Sequence, residues 1–251
     1  MHYYPKIQCP FLRVNPKDKI VDVNQYSDKY ADLLKTTLFS ATEKIDGINL
    51  NIIYDGNDVW YQGHTDSSNW SQDESDWINK HYCSYEFTQL CEQQFGEKTV
   101  QFCGELIGPK IQKNRYELDD YKFVVFDIKI NNVYVNREAV KEITNTMLMD
   151  TVKDYEGSLI KNGCRFIKDS VPAFETLYMT IDEWASFMKL MEKDPQLYIG
   201  SKFNPNIEIE GFVIRPKYEL IKANGERIIY KIKYKDIIGR SPRSFIEKEN
   251  K

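Results

Sequence analysis

A chain of 251 residues sits at the upper end of one domain or could hold two small ones, and its 41% hydrophobic and 14% aromatic content supports a packed core and excludes wholesale disorder. The formal net charge of −4 provides no global basic field, so contact with nucleic acid would need a locally basic groove. Cys9, Cys83, Cys91, Cys103 and Cys164 are odd in number and never spaced as C-x-x-C, which fits thiols of a reducing compartment rather than a disulfide frame or a zinc site.

The opening MHYYPKIQCPFLRV has no basic segment followed by a long apolar run, and no stretch approaches transmembrane length. A soluble cytoplasmic protein is expected. With no repeat, low-complexity segment or linker, residues 1–251 are expected to form a single compact domain.

In chain order, β-rich runs cover Gly47 to Tyr54 and Val59 to Gln62, joined by the hairpin turn Asp55-Gly56-Asn57-Asp58. Helical periodicity follows over Asn69 to Phe95, ending at Gly96. Strands are expected over Val100 to Leu106 and Lys122 to Ile130. Asn136 can cap a helix through about Met149, with Val140, Ile143 and Met147 on one face. Thr180-Ile181-Asp182-Glu183 is a capping box that opens a helix through Met191, stopped by Pro195. Strands over Ile209 to Pro216 and Arg227 to Tyr234 close the set, with an Asn224-Gly225 turn before the last. Strands outnumber helices without alternating strictly with them, so α+β with antiparallel sheets is expected.

Thr42-Glu43-Lys44-Ile45-Asp46-Gly47 leads straight into the first strand. A lysine there could be a solvated turn. Used as a nucleophile, its amine must be partly neutral, which burial and neighbouring cations would promote. Tyr230-Lys231-Ile232-Lys233-Tyr234 offers such cations, two lysines on one strand face with tyrosines and isoleucine on the other. A solvated edge strand is the competing reading; phosphate binding is the functional one.

Acids lie between. Glu105 stands in the apolar run Phe102-Cys103-Gly104-Glu105-Leu106-Ile107-Gly108, while Glu208 and Glu210 share one side of the strand that becomes Gly211-Phe212-Val213-Ile214-Arg215. Such carboxylates can be paired structurally, or can serve ribose recognition and a hydrated divalent ion. Phe123-Val124-Val125-Phe126-Asp127-Ile128 is chiefly core, and one phenylalanine could give a base an aromatic face.

Taken in order, Lys44-x-Asp46-Gly47, Gly104-Glu105-Leu106, Val125-Phe126-Asp127-Ile128, Glu210-Gly211-Phe212-Val213-Ile214 and Lys231-Ile232-Lys233 resemble the motif series of covalent nucleotidyltransferases. The wording is most similar to the ATP-dependent RNA ligase branch, both nick-sealing and small viral types, and spans about residues 42–237. The resemblance implies a nucleotidyltransferase (ATP-grasp-like) fold, two antiparallel sheets around an ATP groove with peripheral helices. Lys44 would attack the α-phosphate of ATP and hold AMP. Glu43, with nearby backbone, would lie beside the adenine edge; Asp46 and Gly47 complete the nucleotide-binding motif. Glu105 would contact the ribose, and Phe126 would stack on adenine, with Asp127 a weaker transfer. Glu210 would organise Mg2+ or Mn2+, and Lys231 and Lys233 would bind the α-phosphate and help expel pyrophosphate.

The chain departs from the pattern in two ways. Gly63-His64-Thr65-Asp66 places His64 where the family usually carries an arginine, a shorter and only partly charged donor to AMP or a 5′-phosphate. After the last motif only residues 236–251 remain, so no C-terminal OB-type domain is expected; Lys235, Arg240, Arg243, Lys248 and Lys251 there could touch phosphates or form a solvated end. Residues 151–206 match no motif. The expected activity is self-adenylylation on Lys44, AMP transfer to a 5′-phosphate end and sealing to a 3′-OH. A DNA ligase, a capping-type guanylyltransferase and a non-sealing end-binding module are the alternatives. The expected partners are RNA ends or a nicked duplex, with no membrane and a monomer by default.

Overall fold

The structure, a computed structural model, describes residues 3–13, 15, 20–65, 68–146, 151–153, 159–161, 169–170 and 173–244. Asp66, Cys164, the expected helix positions Met147 to Met149 and the tail residues Lys248 and Lys251 lie outside the described residues. The elements begin with strands β1 (Phe11–Leu12) and β2 (Asp22–Tyr26), helix α1 (Lys29–Leu33), then β3 (Phe39–Glu43), β4 (Ile48–Tyr54) and β5 (Val59–Gln62). Helices α2 (Gln72–His81) and α3 (Tyr85–Phe95) follow, then β6 (Val100–Ile107), β7 (Lys122–Ile130), β8 (Val133–Tyr134) and α4 (Arg137–Thr146). Short strands β9 (Thr151–Lys153), β10 (Leu159–Lys161) and β11 (Asp169–Ser170) lead to β12 (Ala173–Met179) and α5 (Ile181–Lys193). The chain closes with β13 (Gly211–Pro216), β14 (Tyr230–Lys233) and α6 (Tyr234–Ile237). The fold is α+β with antiparallel sheets, apart from a short parallel pairing of β11 with β7. No described helix is long and apolar enough to cross a membrane.

The contacts divide the chain into two compact units, Met1–Pro5 with Asp46–Val171, and Lys6–Ile45 with Pro172–Lys251. The division falls between Ile45 and Asp46, inside the lysine motif.

The first unit carries a sheet in the order β11-β7-β6-β4-β5, with β8 on β7. Period-2 alternation decides its faces. Leu50, Ile52, Tyr54, Val100, Phe102 and Leu106 point into a core completed by helix residues such as Ile78, Phe87 and Leu90. By register, the other face carries Asn49 opposite Glu105, and Asn51 opposite Cys103, which in turn faces Asp127. That register shifts between Cys103 and Gly104, whose partners are Asp127 and Val125, leaving Phe126 as the extra residue of a β-bulge.

The single helix expected over Asn69 to Phe95 is two helices. Ser71 and Glu74 form a capping box for α2, and a second cap, Ser84, accepts the Phe87 N–H at 3.3 Å to start α3. Tyr82 is buried at the junction, so both helices keep an apolar face on the sheet. The α3 end at Gly96 (φ 60°), the Asn136 side chain accepting the Ala139 N–H at 2.8 Å, and the Thr180–Glu183 box of α5 all fall where the sequence places them.

The second unit carries the antiparallel sheet β12-β3-β13-β14. Phe39, Ala41, Phe212, Ile214 and Ile232 face α5, where Trp184 is fully buried and its indole N–H donates to the Phe39 carbonyl at 3.1 Å. The two last strands are shorter than expected at their starts. Residues 220–228 instead form a tight hairpin, with Ile228 N–H donating to Leu220 O at 2.9 Å and the Lys222–Gly225 turn closed by Gly225 at φ 83°.

Candidate active site

In the second unit, the β3–β13 ladder continues one residue past Glu43: the Lys44 N–H donates to the Gly211 carbonyl at 2.9 Å. This pins the lysine backbone beside the Glu210-Gly211 step. A Cβ on Gly211 would lie 2.1 Å from the Ile232 carbonyl, so only glycine lets β13 approach β14 here. The Lys44 amine donates to Glu210 Oε2 and, at 3.2 Å, to the Ile45 carbonyl. Glu210 Oε1 lies 2.6 Å from the Lys233 amine.

Lys231 projects from the same face of β14, two residues before Lys233, while Tyr230 and Ile232 are buried on the other face. It has no ion-pair partner among the described residues. Burial pushes its amine down to about 8, with the Lys233 and Lys44 charges adding to the effect. Burial would raise the Glu210 carboxyl, but the Lys44 and Lys233 ammonium groups outweigh it and hold it below its ordinary range. Three amines around one carboxylate leave a surplus of positive charge in a partly buried place, which suits a phosphate.

Among the described residues, no group of three or more His, Cys, Asp or Glu could hold a metal ion. Glu210 is a single carboxylate, which fits a magnesium-type ion that keeps waters and takes its remaining oxygens from substrate phosphates. Glu43 is 2% exposed and accepts the Lys202 N–H at 3.2 Å.

Glu208 does not accompany Glu210. Residues 207–210 precede β13 instead of belonging to it, and Glu208 binds the Arg240 guanidinium at 2.6 Å and the Arg243 N–H at 2.8 Å. Arg240 and Arg243 also pair with Glu192 of α5. These two tail arginines are partly exposed and paired with carboxylates.

The remaining candidates lie in the first unit. The Asp46 carboxylate takes a hydrogen bond from Arg115 at 2.8 Å, and its N–H donates to the Tyr116 hydroxyl at 2.9 Å. A Cβ on Gly47 would sit 2.4 Å from the Leu106 carbonyl, so this glycine allows the motif to enter β4 against β6. His64 is exposed on a bend after β5. Glu105 stands on the polar face of the sheet. There Gln101 donates to Asn51 at 3.1 Å, Asn51 to Asn49 at 2.9 Å, and Asn49 to the Gly104 carbonyl at 3.3 Å. Phe126 is partly exposed at its bulge and packs edge-on against Tyr4, with centroids 4.8 Å apart. Asp127 is 1% exposed and accepts the Tyr4 hydroxyl at 2.6 Å, an anchoring role.

The structure thus brings Lys44, Glu210, Lys231 and Lys233 together, and sets Glu105, Phe126 and Asp127 on adjacent strands β6 and β7. Sequence reasoning missed Arg115, Asn49 and Asn51. The two asparagines were detectable as a polar period-2 pattern in Ile48-Asn49-Leu50-Asn51-Ile52; Arg115 lies 69 positions from its partner, and no local signal marks it.

No curated protein matches the chain in sequence. Among solved structures it is similar in fold to Naegleria gruberi RNA ligase. A lysine mutant of that enzyme with AMP and Mn has 16% identity and a TM-score of 0.54, covering 81% of this chain and 52% of that one. The same ligase with PPi gives 17%, 0.54, 81% and 51%. A glutamate mutant with ATP and Mn gives 17%, 0.55, 92% and 59%. The chain therefore spans roughly half to three-fifths of the length of those proteins. The RNA ligase family model matches residues 37–233, which include the whole lysine and carboxylate cluster; the chain belongs to the RNA ligase family.

Proposed function

We propose that the protein is an ATP-dependent RNA ligase that works through a lysyl-AMP intermediate on Lys44, with residues 1–251 acting as one adenylyltransferase domain. The observation that carries this reading is the Lys44–Glu210–Lys233 contact, with Lys231 beside it. After loss of a proton, the Lys44 amine attacks the α-phosphorus of ATP. A nitrogen–phosphorus bond forms, the bond to the bridging oxygen breaks, and pyrophosphate leaves. The AMP then passes to the 5′-phosphate of an RNA end, and a 3′-hydroxyl displaces AMP to seal the strand. Each displacement is in line at phosphorus, so charge placement and positioning supply most of the rate.

Lys231 and Lys233 bind the α-phosphate oxygens, and Glu210 would be the residue that holds a divalent ion. A magnesium or manganese ion, held through Glu210 and substrate phosphates, would neutralise charge on the leaving pyrophosphate. Glu105 takes the ribose hydroxyls and Phe126 the adenine face, a role its bulge suits because a bulge turns a side chain out of the pleat. Glu43, Asp46, Gly47 and His64 complete the nucleotide-binding set. The Naegleria structures, solved with ATP or AMP and Mn, support ATP and a divalent ion as the cofactors.

Intact mass measured after incubation with ATP and magnesium tests the proposal, with GTP and Lys44→Ala in parallel. Gain of one AMP with ATP, absent in the variant, is expected. No gain with ATP, together with no loss of mass on pyrophosphate treatment, would overturn it, and gain of GMP would point to a capping-type enzyme.

A further inference from the structure

Over residues 212–235 there are seven lysines and arginines against two glutamates, a local +5 in a chain of net charge −4. Both glutamates are already engaged: Glu219 pairs with Arg227 and Glu226 with Lys222, each at 3.5 Å. By register, Arg215 shares the face of β13 that also meets Lys231 and Lys233, since Val213 is opposite Lys231 and Gly211 opposite Lys233. The cationic face of the catalytic cluster thus continues along β13.

Where β13 ends, the surface becomes aromatic. Tyr218 is 76% exposed and Tyr178 42% exposed. The Lys217 amine lies 5.2 Å from the Tyr178 ring centre and 5.7 Å from that of Tyr218. The backbone holds this group in place: Lys217 N–H donates to the Leu38 carbonyl at 2.8 Å, and Tyr178 is paired across β12–β3 with Ser40, itself the partner of Arg215. Two open tyrosine faces around one ammonium match what a single strand presents, flat bases and a phosphate backbone. A blunt duplex offers its phosphates but keeps its base faces stacked.

We propose that Tyr178, Lys217 and Tyr218 form a stacking surface for an unpaired polynucleotide strand flanking the end that is joined. Lys217 is six positions along the extended chain from Gly211, about 20 Å, so the bases held here lie several nucleotides from Lys44. The proposal rests on the ligase reading for the identity of the strand.

Binding of labelled oligouridylate and of a blunt RNA duplex to the full chain tests it, by anisotropy across a salt series. Variants are Tyr178→Ala, Tyr218→Ala, Tyr218→Phe and Lys217→Gln, each also assayed for self-adenylylation. Each alanine variant should weaken single-strand binding about tenfold. Tyr218→Phe should keep it, and Lys217→Gln should lower the salt slope by about one. Duplex binding should not change in the tyrosine variants, and adenylylation should not change in any of the four. Unaltered single-strand affinity in both alanine variants, or equal losses on strand and duplex, would overturn the stacking surface. A wild-type chain that fails to self-adenylylate would overturn the ligase reading instead, while the single-strand comparison would still decide the surface.

Discussion

Glu210 lies between two amines, with one carboxylate oxygen on Lys44 and the other 2.6 Å from Lys233. Its backbone is held as firmly: the Glu210 carbonyl accepts the Tyr234 N–H at 3.2 Å, and the carbonyl of the next residue accepts the Lys44 N–H at 2.9 Å. Lys44, Lys233 and Glu210 are therefore set by the same few backbone bonds. A shift of β14 against β13 would carry Lys233 away from the other two.

Glu210→Gln should cost about 1–3 kcal/mol at neutral pH, because it leaves Lys44 and Lys233 close together without their shared counter-charge. The sign with pH follows from the depressed carboxyl of Glu210. Its contribution is fully present above the ordinary glutamate value and is lost as pH falls through the lower folded one. Urea denaturation across pH should show wild type and variant converging in acid. A constant gap down to acid pH would refute the ion-pair origin of the loss.

Lys231 should impose the alkaline limit on adenylylation. Its amine is pushed down to about 8, so the chain loses this charge, proposed above to bind phosphate, as pH rises through that value. The descending limb of kcat/KM for ATP should fall near there. Lys231→Arg keeps the charge at every accessible pH, and the limb should move up by a unit or more. An unmoved limb would place its origin in another group.

Much of this was legible in the chain because motif and ladder coincide. Lys44, Glu210, Lys231 and Lys233 flank or lie in β3, β13 and β14, and alternation alone put the last two lysines on one face. The strands Val59–Gln62 and Lys122–Ile130 have the bounds expected from their β-rich runs. What failed was long-range pairing. Glu208 and Glu210 look equivalent two residues apart, yet Arg240 draws one into a structural network and Lys44 holds the other. The expected long helix became two because a serine cap at Ser84 competes locally with continued helix, and helical periodicity does not register such a break.

The Glu208 network yields the last prediction. Glu208 is 2% exposed, and its charge is balanced by Arg240, which also stacks over the Tyr234 ring at 4.7 Å. Arg240→Gln leaves a buried carboxylate short of its counter-charge and should cost about 3–5 kcal/mol. Adding Glu208→Gln removes that unbalanced charge, so the double variant should be more stable than the sum of the single losses allows, by about 1–3 kcal/mol of coupling. A chemical-denaturation cycle measures this directly. Additive losses would mean that Arg240 holds residues 234–244 through its contact with Tyr234 and Glu192, and that Glu208 is held by its other contacts, the Arg243 N–H among them.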